Sequence, residues 1–262
     1  MLVALGLAWT VRPGVPVATS PDVTVFAAAS LRDVVYEVGA AFSGWAETSG
    51  RLYFNVAGSN VLAQQIVASS QADVFLSANE KWMDHVEESG RLVDGSRKPI
   101  LSNRLVVVAN ASTDWSATSA NDLVRIPFKH LSIGNPDAVP AGIYAKAFLE
   151  KMSYDEGTLW AALSDRVAPA LDVRAALALV EADPSVIGMV YRTDATESRL
   201  VRILFELPRG VAPPIRYFAA RVYRPGAPAT AQQFYDFLFS DEARRIFAEH
   251  GFEPSAEGGT DE

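Results

Sequence analysis

The sequence predicts an α/β fold built on mainly parallel sheets, and three observations predict it. From Asp22 onward, short β-rich runs alternate with stretches of helical period, the pattern of strands joined by crossover helices. With 49% hydrophobic and 21% charged residues, the chain can bury a sizeable core, which a disordered chain cannot. Its 262 residues, at roughly 150 per domain, leave two modest lobes or one large domain.

The elements follow in order. Residues 1–11 are apolar, and Arg12, Pro13 and Gly14 precede a small-residue stretch, Val17-Ala18-Thr19-Ser20. This is the h-region and cleavage zone of a secretory signal without its basic n-region, so residues 1–20 are expected to be a truncated leader. Pro13 and Pro16 argue against a first core strand, and so short an apolar run cannot span a bilayer. Export to the periplasm is the expectation.

Residues 23–26 read as a strand, and Leu31, Val34, Val35, Val38 and Phe42 stand at helical spacing, giving a βα unit. Further strand-like runs lie at 52–56, 73–76, 104–109, 131–134, 187–191, 202–205 and 215–223. Residues 230–250 read as one helix carrying Phe234, Phe237, Leu238, Ile246 and Phe247, stopped by Gly251. A polar, Gly-rich tail follows Pro254.

Charge and composition exclude several functions. The net charge of −8 argues against a broad nucleic-acid face, and removing residues 1–20 takes away Arg12 to leave −9. The absence of cysteine removes thiolate catalysis and Cys-based zinc or iron–sulfur sites. No G-x-S-x-G, P-loop, dinucleotide or H-E-x-x-H pattern is present. His85, His130 and His250 are far apart and lack ligand spacing. The densest polar cluster, Asp84-His85-Val86-Glu87-Glu88, reads as a solvated helix face with Trp82, Met83 and Val86 on its buried side.

What recurs is a strand that ends in a small or polar residue and opens a helix. Ser30 with Asp33 three residues on reads as a helix N-cap, and Ser59 opens the helix of Val61, Leu62 and Ile66. Pro140-Ala141-Gly142 opens a third helix with proline in its first turn, and Asp172 precedes a fourth start at Val173. Such ends carry unpaired N–H groups and about half a positive charge, so several facing one crevice bind an anion without Lys or Arg. Each is also an ordinary cap by pattern, and Tyr191 by pattern alone is a strand-end core residue.

The sequence resembles the periplasmic molybdate-binding proteins of bacterial ABC transporters, members of the type II periplasmic binding fold. The resemblance is carried by Val25-Phe26-Ala27-Ala28-Ala29-Ser30-Leu31, Ala57-Gly58-Ser59 with Leu62-Ala63-Gln64-Gln65-Ile66, and Ala72-Asp73-Val74-Phe75-Leu76-Ser77-Ala78 with Lys81-Trp82-Met83-Asp84. It continues through Val139-Pro140-Ala141-Gly142-Ile143-Tyr144-Ala145-Lys146, the run from Asp172 to Glu181, and Gly188-Met189-Val190-Tyr191 with Thr193-Asp194-Ala195. Together these cover about residues 23–252 in family order.

The resemblance implies two lobes, 22–103 with 216–262 and 104–215, joined by two crossing strands. It implies a molybdate or tungstate oxyanion held between them by the hydroxyl and N–H of Ser30 and of Ser59, the N–H of Ala141 and Val173, and the phenol of Tyr191. A membrane permease is the implied partner, with no cofactor, no nucleic acid, no enzymatic activity and a monomeric chain. Gly58-Ser59-Asn60 departs from the longer run of small hydroxyl residues in relatives. Asp172 would repel an anion unless folded onto its own helix as a cap. A receptor for another oxyanion such as sulfate, a serine hydrolase using Ser30 or Ser59, and the effector domain of a transcription regulator are the rival readings.

Overall fold

The computed structural model of the chain describes residues 22–45, 50–69 and 71–255. The expected leader at 1–20 and the tail beyond Ser255 lie outside the described residues.

The first unit runs β1 (Val23–Ala28), a 3-10 turn at Ala29–Leu31, α1 (Arg32–Trp45), β2 (Leu52–Ala57), α2 (Ser59–Ser69), β3 (Val74–Ser77), α3 (Glu80–Glu88) and β4 (Lys98–Asn103). The chain then passes into β5 (Leu105–Asn110), β6 (His130–Gly134), α4 (Pro140–Lys151) and the short hairpin β7 (Ser153–Tyr154) and β8 (Gly157–Thr158). Next come α5 (Leu159–Leu163), β9 (Val167–Ala170), α6 (Val173–Ala182), β10 (Val186–Tyr191), α7 (Arg192–Glu197) and β11 (Val201–Glu206). It closes with β12 (Ile215–Arg221), α8 (Ala229–Phe237), α9 (Asp241–Glu249) and β13 (Glu253–Pro254).

The strands form two main sheets, ordered β13-β4-β12-β3-β1-β2 and β11-β5-β10-β6-β9. Every residue of β5 and β10 is buried, which is why both read as unbroken apolar runs rather than alternating ones. Gly188 in β10 is required by close packing: a Cβ there would lie 2.8 Å from the Val180 methyl of α6. Leu31 of the 3-10 turn and Val34, Val35, Val38 and Phe42 of α1 all face the core, as their spacing predicts.

The sheets are mixed rather than mainly parallel. β1 is parallel to β2 and β3, but β12 is antiparallel to β3 and β4, and β13 to β4. In the second sheet β6 is parallel to β10 and β9, while β5 is antiparallel to β10 and β11. Hydrophobic period marks a strand but not its direction. The antiparallel neighbours are the strands beside the two chain crossings, β4 to β5 through Arg104 and β11 to β12 through residues 207–214.

Residues 230–250 are two helices rather than one. Ser240 ends the first path and caps α9, its Oγ accepting the Ala243 N–H at 3.2 Å, with Asp241 and Glu242 in the first turn favouring the helix dipole. Gly251 then takes a left-handed φ of +81°, the stop the sequence predicts. The acidic face of α3 meets Arg97, which lies 2.9 Å from Glu80, 2.6 Å from Asp84 and 2.5 Å from Glu87. Among the described residues no helix is long and apolar enough to cross a membrane.

Candidate functional site

One cleft gathers Ser30, Ser59, Ala141, Val173 and Tyr191. Each stands at the carboxyl edge of a sheet, where a strand hands over to a helix. Ser30 follows β1, Ser59 is the first residue of α2, Ala141 the second of α4, Val173 the first of α6, and Tyr191 the last of β10. Ser30 and Ser59 come from elements of the first sheet and the other three from elements of the second. The first-turn N–H groups at these starts have no intrahelical acceptor.

Ser30 is not the N-cap its pattern predicts. It sits inside the 3-10 turn, whose N-cap is Ala28, and its Oγ lies 2.9 Å from the Tyr217 hydroxyl. Asp33 instead reaches Arg174, 3.1 Å away. The turn lifts Ser30 off its own helix and leaves its side chain to long-range partners. Ser59 Oγ accepts the Ala78 N–H at 3.0 Å.

Asp172 is the cap of α6: its Oδ1 accepts the Ala175 N–H at 2.9 Å, folding the carboxylate onto its own helix. Pro140 occupies the first helical position of α4, where a missing N–H costs nothing. Tyr191 is buried and its hydroxyl has no hydrogen-bond partner within the protein. Burial, together with the nearby Tyr217 hydroxyl, pushes its pKa well up, so the phenol keeps its proton.

The cleft is narrow. Its empty volume is about 210 Å3 including the mouth. Contacts between elements of the two sheets draw it together: Trp82 Nε1 donates to the Ala138 carbonyl at 2.7 Å, and Asp33 of α1 pairs with Arg174 of α6. A Cβ on Gly58 would lie 2.6 Å from the Asn60 side-chain oxygen and 3.2 Å from the Leu171 carbonyl oxygen, so a side chain there would crowd this approach. A larger hollow, about 1760 Å3 by the same measure, runs along the crossings by Asn103, Arg104 and Arg216 and includes none of the five residues.

Pattern reading missed three polar residues behind the cleft. Asn103 Nδ2 donates to Thr193 Oγ1 at 2.9 Å and to the Tyr217 hydroxyl at 3.3 Å. Asp194 is fully buried, with one oxygen 3.3 Å from Arg174 and the other without a partner. Burial pushes its carboxyl up to about 7 against the opposing pull of Arg174. Of these only Asn103 stands at a strand end; Tyr217 lies within β12 and Thr193 and Asp194 within α7, so local pattern does not single them out.

The proton on buried Asp194 makes stability depend on pH. The folded protein holds this proton where the unfolded chain has lost it, so the stabilisation is complete below about pH 4 and lost as pH rises to about 7. Asp194→Asn is therefore expected to melt above the unmutated protein at pH 8, with the difference shrinking toward pH 4. Thermal melts across that range check it, and a pH-independent difference would contradict it.

The family model for bacterial extracellular solute-binding proteins matches residues 23–253. The molybdate-binding protein ModA of Escherichia coli is 36% identical over 243 residues, 91% of each chain. Among solved structures, the periplasmic molybdate-binding protein of Azotobacter vinelandii superposes with a TM-score of 0.77 at 20% identity, covering 90% of this chain and 100% of that one. The sulfate-binding protein SubI of Mycobacterium tuberculosis does so with a TM-score of 0.74 at 16% identity, covering 89% and 87%. At such identities the superpositions speak for the fold, and the fold is shared by receptors for different anions. By its sequence match over nearly its whole described length, the chain belongs to the bacterial extracellular solute-binding protein family.

Proposed function

We propose that this chain is the substrate-binding component of a molybdate ABC importer, and that the cleft of Ser30, Ser59, Ala141, Val173 and Tyr191 is its ligand site. The single observation that carries the site is the convergence of these five residues, from both sheets, on one cleft. The relatives named for molybdate carry the choice of ligand.

The chemistry of the cleft fits a fully deprotonated tetrahedral dianion. Ser59 Oγ already accepts from Ala78, so its O–H is free to donate. Tyr191 has a buried phenolic proton with no acceptor, and Ala141 and Val173 offer first-turn N–H groups. Asp172, the carboxylate at the edge, turns its Oδ1 onto the Ala175 N–H as the cap of α6. A donor-only site satisfies molybdate on all four oxygens. Hydrogen phosphate brings an O–H that finds no acceptor, at a cost of about 1–3 kcal/mol. Sulfate has the same charge and is rejected by cavity size, whereas tungstate, close to molybdate in size, is bound too.

The two sheets are the cores of two lobes, residues 22–103 with 216–262 and residues 104–215, which close on the anion. The net charge of −8 opposes long-range attraction, but salt screens it over about 8 Å and the local dipoles decide affinity. The protein works in the periplasm as a monomer without catalysis or cofactor, and its closed form is what a membrane permease recognises.

Ser30→Ala is expected to weaken molybdate binding by about 1.5–3 kcal/mol, the range for a hydrogen bond to a charged group. Calorimetric titration measures it. Unchanged affinity would remove Ser30 from the site, and no molybdate binding by the unmutated protein would overturn the proposal.

A further inference from the structure

We infer that Tyr217 and Asn103, neither of which lines the cleft, set the direction of the Ser30 hydroxyl and so bias it toward donating to the ligand. The inference rests on the cleft being the oxyanion site and names the residues that give it selectivity by protonation state. They are positioning residues, acting through Ser30.

The wiring can be followed atom by atom. Asn103 Oδ1 accepts the backbone N–H of Arg104 at 2.8 Å, which fixes the amide so that its nitrogen faces the other way. That nitrogen donates to Thr193 Oγ1 at 2.9 Å and to the Tyr217 oxygen at 3.3 Å. The Tyr217 oxygen is thereby an acceptor, and we assign its one proton to Ser30 Oγ, 2.9 Å away, the oxygen in place to receive it. Ser30 Oγ, already accepting from Tyr217, has its own proton left for the cleft. The phenol cannot swing away: Tyr217 is fully buried, with Phe252 packed edge-on at 5.6 Å and the Tyr191 ring at 5.9 Å.

A serine free of such a partner is ambivalent. It donates to molybdate, but turned round it accepts the O–H of hydrogen phosphate. The Asn103–Tyr217 chain occupies one of the oxygen's two lone pairs and so biases the hydroxyl toward donating. Ser59 is treated alike by a different device, since the Ala78 N–H occupies its oxygen. Two unrelated elements therefore bias both serines toward donating.

The test is a double-mutant cycle with Tyr217→Phe and Ser30→Ala, each protein titrated calorimetrically with sodium molybdate and, by competition, with sodium phosphate at pH 7. Tyr217→Phe keeps the buried ring and removes only the proton given to Ser30. The expected result is a molybdate-over-phosphate preference about tenfold lower in Tyr217→Phe, through weaker molybdate and stronger phosphate binding together. In the Ser30→Ala background the same change leaves the preference unaltered. Equal weakening of both anions would reduce Tyr217 to a packing role and overturn the inference. So would an unchanged preference, or a shift of the same size without the Ser30 hydroxyl. If the unmutated protein fails to bind molybdate, the reading of the cleft falls first, and that outcome is visible before any variant is made.

Discussion

Gly142→Ala is expected to lower stability and abolish molybdate binding together. Gly142 lies in the first turn of α4, one residue beyond Ala141, where the helix sits directly on the end of β6. A Cβ there would lie 2.8 Å from the Asn135 carbonyl oxygen and closer still to the carbonyl of Gly134. Both obstacles are backbone, so no side-chain rotation relieves the contact. Overpacking of this kind costs about 1–3 kcal/mol even where side chains can yield, and here α4 must move. In a chain of this size that is a fall in melting temperature of roughly 2–4 °C for each kcal/mol. Moving the start of α4 also withdraws the Ala141 N–H from the cleft. Thermal melting and calorimetry of one preparation check it; a variant that melts and binds like the unmutated protein would contradict the close packing of α4 on β6.

The second large effect separates backbone from side-chain ligation. Ala141→Gly leaves the N–H in place and is expected to change molybdate affinity little. Ala141→Pro removes the donor and is expected to weaken binding at least about tenfold, the loss of a hydrogen bond to a charged group. A proline at the second helical position lacks only an N–H that has no intrahelical partner, although it also constrains Pro140 before it. Circular dichroism and melting of both variants separate a local loss from a general one. Equal affinities of the two would contradict ligation through the N–H of residue 141.

Much of this architecture was legible because burial writes itself into residue spacing. The apolar runs of β5 and β10 and the spacing along α1 needed no tertiary information. The strands missed were those that depend on neighbours: β4 carries Pro99, β9 carries Pro169, and β7, β8 and β13 are each two residues long. β9 is an edge strand, where proline is tolerated. The break between α8 and α9 hangs on one serine in an otherwise continuous apolar period, and strand direction has no periodic signature at all.

The candidate site was legible at the level of its positions. Helix starts at Ser59, Pro140 and Val173 follow from local rules, and the Asp172 cap is a three-residue interaction. Ser30 shows the limit of local rules. A Ser with Asp three residues on satisfies the capping pattern, yet Tyr217, 187 residues away, takes the hydroxyl, and Asp33 goes to Arg174. The polar layer of Asn103, Tyr217 and Asp194 is assembled from β4, β12 and α7 and exists only in three dimensions.

The central claim is that the cleft selects a tetrahedral dianion by offering donors only and by its size. Calorimetric titration of the unmutated protein with molybdate, tungstate, sulfate and phosphate, under one buffer and ionic strength, tests it most directly. The account predicts one-to-one binding of molybdate and tungstate with similar affinity, sulfate far weaker, and phosphate weakest at a pH where it carries a proton. Sulfate bound as tightly as molybdate would contradict it.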